Sequence, residues 1–284
     1  MLKSDAVWLV TGCSSGLGRA IGEQVIEAGY RLVATARDPS ALADLVEKAG
    51  ERAIAVALDV TDTDSVAAAV RASEERFGAV DVLVNNAGYG YFAALEEGEE
   101  ADVEAMFQTN VYGPWRVANA VLPGMRDRGH GHIVNISSVG GLVTFPAVGF
   151  YHMAKFAVEG FSETLAKELQ PFGVGVTVVE PGAFRTEFRG TSMKQSAIRL
   201  PAYAETAGKA RDNVIAANGK QQGDPARGGR AIIKAVEAEH PPLHLVIGGD
   251  ALDLIRKKIA DLTHDLDTWE TVTRSTDFQD GAAA

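Results

Sequence analysis

The chain has 284 residues, 46% of them hydrophobic and 23% charged, which is enough apolar material for a buried core and argues against a disordered chain. Its formal net charge of -11 argues against a broad basic surface for nucleic acid or anionic lipid. Cys13 is the single cysteine, so neither an intrachain disulfide nor a cysteine-built zinc site is available, and a reducing compartment such as the cytoplasm is the expected location.

The apolar run at 6–10 is too short for a signal core or a membrane span and reads as a strand over 7–10. A glycine-rich turn follows, then a helix with Ile21, Val25 and Ala28 on one face and Gly29 as its stop. A second strand over 31–36 closes a βαβ unit within about 35 residues. Asp38-Pro39 reads as a cap and first helical residue, and Thr61 or Asp62 begins a further helix. Apolar runs at 53–57, 80–84, 133–137, 174–179 and 243–247 bring the expected strands to seven. Both faces of these runs are apolar, as in a doubly wound, mainly parallel α/β sheet held between two helical layers. Residues 188–229 break this rhythm. They are rich in Ala, Gly, Lys and polar residues, show no clear strand, and read as an inserted helical cover over a substrate. Residues 268–284 end in Gly-Ala-Ala-Ala and read as a frayed, flexible tail. No repeat or linker marks a second domain, so 1–284 is expected to be one α/β domain.

The turn Thr11-Gly12-Cys13-Ser14-Ser15-Gly16-Leu17-Gly18 lies directly between a strand and a helix. Glycines allow a tight turn and close backbone approach, and the helix presents unpaired N–H groups and the positive end of its dipole to a pyrophosphate. The second strand ends without a carboxylate and is followed by Arg37. A carboxylate there would bind ribose hydroxyls and repel a 2′-phosphate, whereas a guanidinium bonds that phosphate, so NADP(H) is expected in preference to NAD(H). Asp59-Val60 follows the third strand and Asn85-Asn86-Ala87-Gly88 the fourth, at positions suited to adenine and to the centre of the sheet. Helix capping by Asp59 and strand-end hydrogen bonding by the two asparagines fit the same positions. Pro181-Gly182-Ala183-Phe184-Arg185-Thr186 leaves the sixth strand as a turn.

Tyr151 and Lys155 stand four residues apart near the start of a helix, on one side of it, with Phe156, Val158, Phe161, Leu165 and Leu169 on its later face. An ammonium near a phenol favours the phenolate, but bringing tyrosine from about 10 to neutral pH takes roughly 4 kcal/mol, so a low-dielectric cleft and a further positive charge must contribute. Ser137 and Ser138 end the fifth strand and point to opposite faces, so only one reaches a substrate. Asn110 sits in Thr109-Asn110-Val111, where hydrogen bonding at a helix irregularity is its simplest role. His152 is turned about a quarter-circle from Tyr151 and is left outside the reacting set. His130 and His132 have no carboxylate or cysteine companions in the sequence, and no metal is expected.

In this order the motifs resemble the short-chain dehydrogenase/reductase family, which uses the Gly-x-x-x-Gly-x-Gly spacing seen at Gly12, Gly16 and Gly18. The resemblance is ordered from residue 6 to 186 and looser through 247. It implies a Rossmann-type domain that moves hydride between NADP(H) and a small-molecule carbonyl or alcohol. Ser14, Ser15, Leu17, Arg37, Asp59, Val60, Asn86, Ala87, Gly88, Pro181, Gly182 and Thr186 would then line the cofactor site. Within it, Ser14 and Arg37 would face the phosphate and Thr186 the carboxamide. It further implies Tyr151 as the acid and base, Lys155 tuning it and binding the nicotinamide ribose, Ser138 bonding the substrate oxygen, and Asn110 ordering a water on the lysine side. The Cys13-Ser14-Ser15 loop, Ala36-Arg37 and the long tail look like hydroxysteroid and retinol-type members, implying a bulky apolar substrate. Similar proteins pair through the helix at 150–170, which implies a homodimer or homotetramer. A non-catalytic cofactor-binding sensor or scaffold and a cofactor-retaining epimerase are the alternatives.

Overall fold

The computed structural model describes residues 2–190 and 192–278. Seven strands form one wholly parallel sheet: β1 (Val7–Val10), β2 (Arg31–Ala36), β3 (Ala53–Ala57), β4 (Val82–Asn85), β6 (Gly131–Ile136), β7 (Val174–Pro181) and β9 (His244–Ile247). Their spatial order is β3-β2-β1-β4-β6-β7-β9. The chain reverses direction across the sheet between β1 and β4, and such a switch point opens a crevice at the strands' C-terminal ends. Strands β1, β2 and β4 are buried almost throughout, because helices cover both faces.

One layer centres on Trp8, Ile21, Val25, Leu32, Ile232 and Val236, joining the sheet to α1 (Gly16–Glu27) and α8 (Pro225–Glu237). The other centres on Leu9, Val33, Val70, Leu83, Val121 and Leu165, joining it to α3 (Thr63–Phe77), α5 (Gly113–Arg128) and α6 (Gly149–Leu169). On α1 the buried stripe uses Ile26 in place of the expected Ala28, which is the exposed C-cap. On α6 Phe156 points to solvent while Val158, Leu165 and Leu169 are buried. Asp62 caps α3 by accepting from the Asp64 amide at 2.9 Å.

The segment expected to lack strands contains one. β8 (Met193–Gln195) runs parallel to β5 (Gly90–Phe92) as a separate two-stranded sheet. Glu97 secures this addition: its carboxylate accepts from the amides of Ala94 at 3.1 Å and Leu200 at 2.8 Å, while its carbonyl accepts from the Ser196 hydroxyl at 2.5 Å. After α7 (Lys209–Ala216) the chain returns to the main layers at Pro225, earlier than the expected boundary at 229. Gly228 and Gly229 are already buried, against Phe184 and α1. The C-terminal helix α9 (Gly249–Arg274) also departs from expectation, continuing through residues read as a frayed tail from 268. Residues 279–284 of that tail lie outside the described residues.

Candidate active site

The crevice over the switch point is a cleft of about 1530 Å³. One end is the turn between β1 and α1. Gly12 has φ +73°, a left-handed conformation that a side chain disfavours. Gly18 is required by contact instead: a Cβ there would stand 2.2 Å from Asn86 Nδ2 and 2.3 Å from the Gly12 carbonyl. Asn86 clamps this turn, donating to the carbonyls of Thr11 at 2.9 Å and Gly12 at 3.2 Å. The Thr11 hydroxyl accepts from the amides of Asn86 and Ala87, both at 2.9 Å. Ser15 precedes α1 in extended conformation, and among the described residues no side chain caps the helix or puts a carboxylate in its first turn. The opening amides therefore keep their capacity for an anion, and the cradle fits a dinucleotide pyrophosphate. Cys13 is buried behind the turn, where desolvation pushes its thiol up to about 12 and leaves it unreactive.

Ser14 and Arg37 are exposed on the rim of the same cleft. Asp38, the acidic residue beside Arg37, is engaged in capping a 3-10 turn through the Ser40 amide at 3.0 Å. Asp59 accepts from the amide and hydroxyl of Thr61 at 2.9 and 2.7 Å. Those bonds, with a smaller contribution from the charge of Arg37, lower its pKa.

At the other end α6 brings Tyr151 and Lys155 to the cleft, and the loop after β6 brings Ser138. Lys155 donates to the Ile136 carbonyl at 2.8 Å, and its Nζ lies 5.6 Å from the centroid of the Tyr151 ring. Burial pushes the Tyr151 phenol up to about 12, opposed by the Ser138 hydroxyl. Burial brings Lys155 down to about 8, opposed by the negative charge of Glu159. Ser138 Oγ accepts from the Gly140 amide at 3.0 Å, and its hydroxyl also faces the Tyr151 phenol. Ser137 also borders the cleft, with its Oγ buried beside Glu159, so the expected separation of the two serines to opposite faces is incomplete.

The cleft wall carries Gly12, Ser14, Ser15, Gly16, Leu17, Arg37, Asp59, Val60, Asn86, Ala87 and Gly88 with Ser138, Tyr151, Lys155, Pro181, Gly182 and Thr186. Two expected residues stand behind it. Gly18 supports the turn, and Asn110 lies 1% exposed in a π-helical turn, Gln108–Tyr112. Asn110 donates to the Tyr89 carbonyl at 2.7 Å and accepts from the Tyr89 amide at 3.1 Å, bracing the strand end after Gly88.

Several contributors carried no recognisable signal in sequence. His152 is buried and accepts at Nε2 from the Phe145 amide at 2.8 Å, so its Nδ1 proton faces the Gly140 carbonyl, also at 2.8 Å. This neutral tautomer pins the loop that carries Ser138. Asp250, from the first turn of α9, accepts from the Ala183 amide at 2.8 Å and braces the Pro181-Gly182 turn. Behind Lys155, Glu159, Glu180 and His244 place ligand-type atoms within 4.8 Å of one another. His244 Nδ1 meets Glu180 Oε1 at 2.7 Å, and burial drives Glu180 up to about 7, with the His244 contact opposing the rise. His132 instead meets the Thr177 hydroxyl at 2.9 Å inside the sheet, where burial lowers it to about 4.

Known proteins share this fold. Residues 6–197 match the family model described as short chain dehydrogenase. A solved short-chain dehydrogenase from Streptomyces avermitilis is 45% identical with a TM-score of 0.89, over 96% of this chain and all of that one. A short-chain dehydrogenase/reductase from Burkholderia phymatum, solved in complex with NAD, is 28% identical with a TM-score of 0.82, covering 93% of this chain and 97% of that one. Human retinol dehydrogenase 8 is 39% identical over 256 residues, 86% of this chain and 81% of that protein. The chain belongs to the short-chain dehydrogenase/reductase family of oxidoreductases. No helix among the described residues is long and apolar enough to cross a membrane.

Proposed function

We propose that this oxidoreductase interconverts a carbonyl and an alcohol on a bulky apolar small molecule, using NADP(H) in preference to NAD(H). The observation that carries the reading is the convergence of Ser138, Tyr151 and Lys155 in one cleft whose other end holds the glycine turn and Arg37. The nicotinamide, when bound, supplies or accepts the hydride. Ser138 donates a hydrogen bond to the substrate oxygen and orients it, keeping its own proton. Tyr151 donates its phenolic proton to that oxygen in reduction and removes it in oxidation. A phenol held near 12 is protonated at neutral pH, the form reduction needs. Lys155 stabilises the phenolate that proton donation leaves behind, and binds the ribose. Asn110, held against Tyr89, keeps the adjoining backbone in place for a water on the lysine side.

Arg37 and Ser14 on the rim support a 2′-phosphate partner, with Asp38 engaged elsewhere. Tyr89, Phe92, Phe145, Val148, Phe188 and Met193 line the substrate end and support an apolar ligand. The similarity to a retinol dehydrogenase points the same way. Residues 188–224 serve as a substrate cover within a single domain, anchored through Glu97. Exposed Tyr112, Trp115 and Phe156 beside α5 and α6 support a homodimer or homotetramer. The buried, unreactive Cys13 suits a cytoplasmic protein.

The test is deuterium transfer from NADPH labelled at nicotinamide C4 to ketones of increasing apolar size. Deuterated alcohol is the expected product, with efficiency rising with apolar size. Tight cofactor binding with no deuterium in any product would assign a sensor or scaffold instead.

A further inference from the structure

Helix α9 spans 26 residues, about 39 Å at 1.5 Å per residue. Its buried residues, Ala251 and Ile255, lie in the first two turns, and every residue from Arg256 to Arg274 is exposed. The apolar stripe does not stop where the core does. Leu252 and Ile255 are followed by Ile259, Leu262, Leu266 and Trp269, at spacings alternating between three and four residues. That alternation is the seam of a helix pair rather than the broader face of a helix lying on a globular core. Ile259, Leu262, Leu266 and Trp269 are each half or more exposed.

The charges beside the seam favour a second copy of this chain as its partner. Arg256 and Lys258 flank the half nearer the core, while Asp265 and Glu270, the latter also accepting from Arg274 of the same helix at 2.7 Å, flank the outer half. Two copies laid antiparallel set each basic half against an acidic half; laid parallel, they set like against like. Along the same stretch Asp261, Asp265, Asp267 and Glu270 balance Arg256, Lys257, Lys258 and Arg274, so the helix carries no excess positive charge to draw it to an anionic lipid surface. A twofold pairing of one surface with itself also closes without extending into a filament.

We propose that the outer half of α9 is a self-docking helix, pairing antiparallel with α9 of a second copy of this chain. The interface is separate from the face of α5 and α6 and does not depend on the reaction assigned to the cleft.

Sedimentation velocity on the full chain over a range of concentrations tests this, comparing wild type with the Leu262→Asp/Leu266→Asp variant. Both sites are exposed, so far-UV dichroism and thermal midpoint should stay unchanged while the largest wild-type species loses a twofold step in mass. Identical mass distributions would overturn the proposal. Arg256→Glu/Lys258→Glu and Asp265→Lys/Glu270→Lys should each weaken self-association at least tenfold, and mixing the two variants should restore it; no loss in either, or no recovery on mixing, would count against it. Orientation follows from oxidative cross-linking, for which buried Cys13 offers no competing thiol. Leu262→Cys, near the centre, should cross-link, and Trp269→Cys, near the end, should not; efficient cross-linking at Trp269→Cys would establish parallel pairing and refute the model. Binding of wild type, but not the double aspartate variant, to phosphatidylcholine/phosphatidylserine vesicles, with no difference in solution mass, would assign the stripe to a lipid surface instead.

Discussion

Lys155 donates at 2.8 Å to the Ile136 carbonyl while its Nζ lies 5.6 Å from the centroid of the Tyr151 ring, so one side chain ties the sheet end to the phenol. The tether limits how far the ammonium can move, and burial makes its charge costly. An ammonium already near its own neutral form is sensitive to every charge around it. Glu159, one helical turn further along α6, is the negative group opposing its loss of a proton.

Tyr151→Phe retains the ring and its contact with Phe188 but removes the transferable proton. Turnover should fall roughly 10²- to 10⁴-fold, while cofactor affinity changes only a few-fold. Steady-state rates with fluorescence titration of the cofactor separate the two effects. Turnover within a few-fold of wild type would rule out Tyr151 as the acid.

Arg37→Asp replaces an exposed guanidinium on the cleft rim with a carboxylate. A charge-assisted phosphate contact contributes about 1.5–3 kcal/mol, so kcat/KM with NADPH should drop roughly ten- to hundredfold. The value with NADH should hold or rise. Equal losses with both nucleotides would show that Arg37 does not read the 2′-phosphate.

Glu159→Gln removes the charge that supports protonated Lys155. The alkaline limb of kcat/KM, expected near pH 8 from Lys155, should move to lower pH, with little change on the acid side. An unmoved limb would mean that the lysine does not feel Glu159.

Glu180 is wholly buried, and its folded value of about 7 exceeds the ordinary 4.5. Between those values the folded chain holds a proton that the unfolded chain releases. Stability from this site is therefore full below pH 4.5 and lost as pH rises through 7, by on the order of 3 kcal/mol. Denaturant unfolding at pH 5 and pH 8 should show a larger loss for wild type than for Glu180→Gln. Parallel curves for the two proteins would show that Glu180 takes up no proton on folding.

Gly18→Ala puts a Cβ 2.3 Å from the Gly12 carbonyl and forces the turn away from Asn86. Stability should fall by about 1–3 kcal/mol, and nucleotide affinity should fall with it. Calorimetric titration with NADPH would check this; a variant binding as tightly as wild type would mean the turn can yield without losing its cradle.

Much of the frame was readable because its determinants are local. The strands expected at 7–10, 31–36 and 53–57 have those bounds, since β-branched runs between a turn and a helix cap leave little freedom in where a buried strand begins. β5 and β8 are illegible in the sequence for the opposite reason. Each has three residues of mixed character, and their pairing joins segments about a hundred positions apart, so neither is a strand without the other. The early return at Pro225 was equally hidden, because Gly228 and Gly229 resemble loop residues until α1 and Phe184 lie against them.

For the site, sequence alone determined the glycine cradle, Arg37 at a strand end and Tyr151 with Lys155 on one helical side, because a strand–turn–helix and a four-residue spacing are geometric facts of short range. Tertiary structure decided which groups act on them. It set Ser138 beside the Tyr151 phenol and Ser137 beside Glu159, used His152 as a brace, and gathered Glu159, Glu180 and His244 from α6, β7 and β9 behind Lys155. Charge and burial depend on distances through space, and those exist only once the sheet has brought its strand ends together.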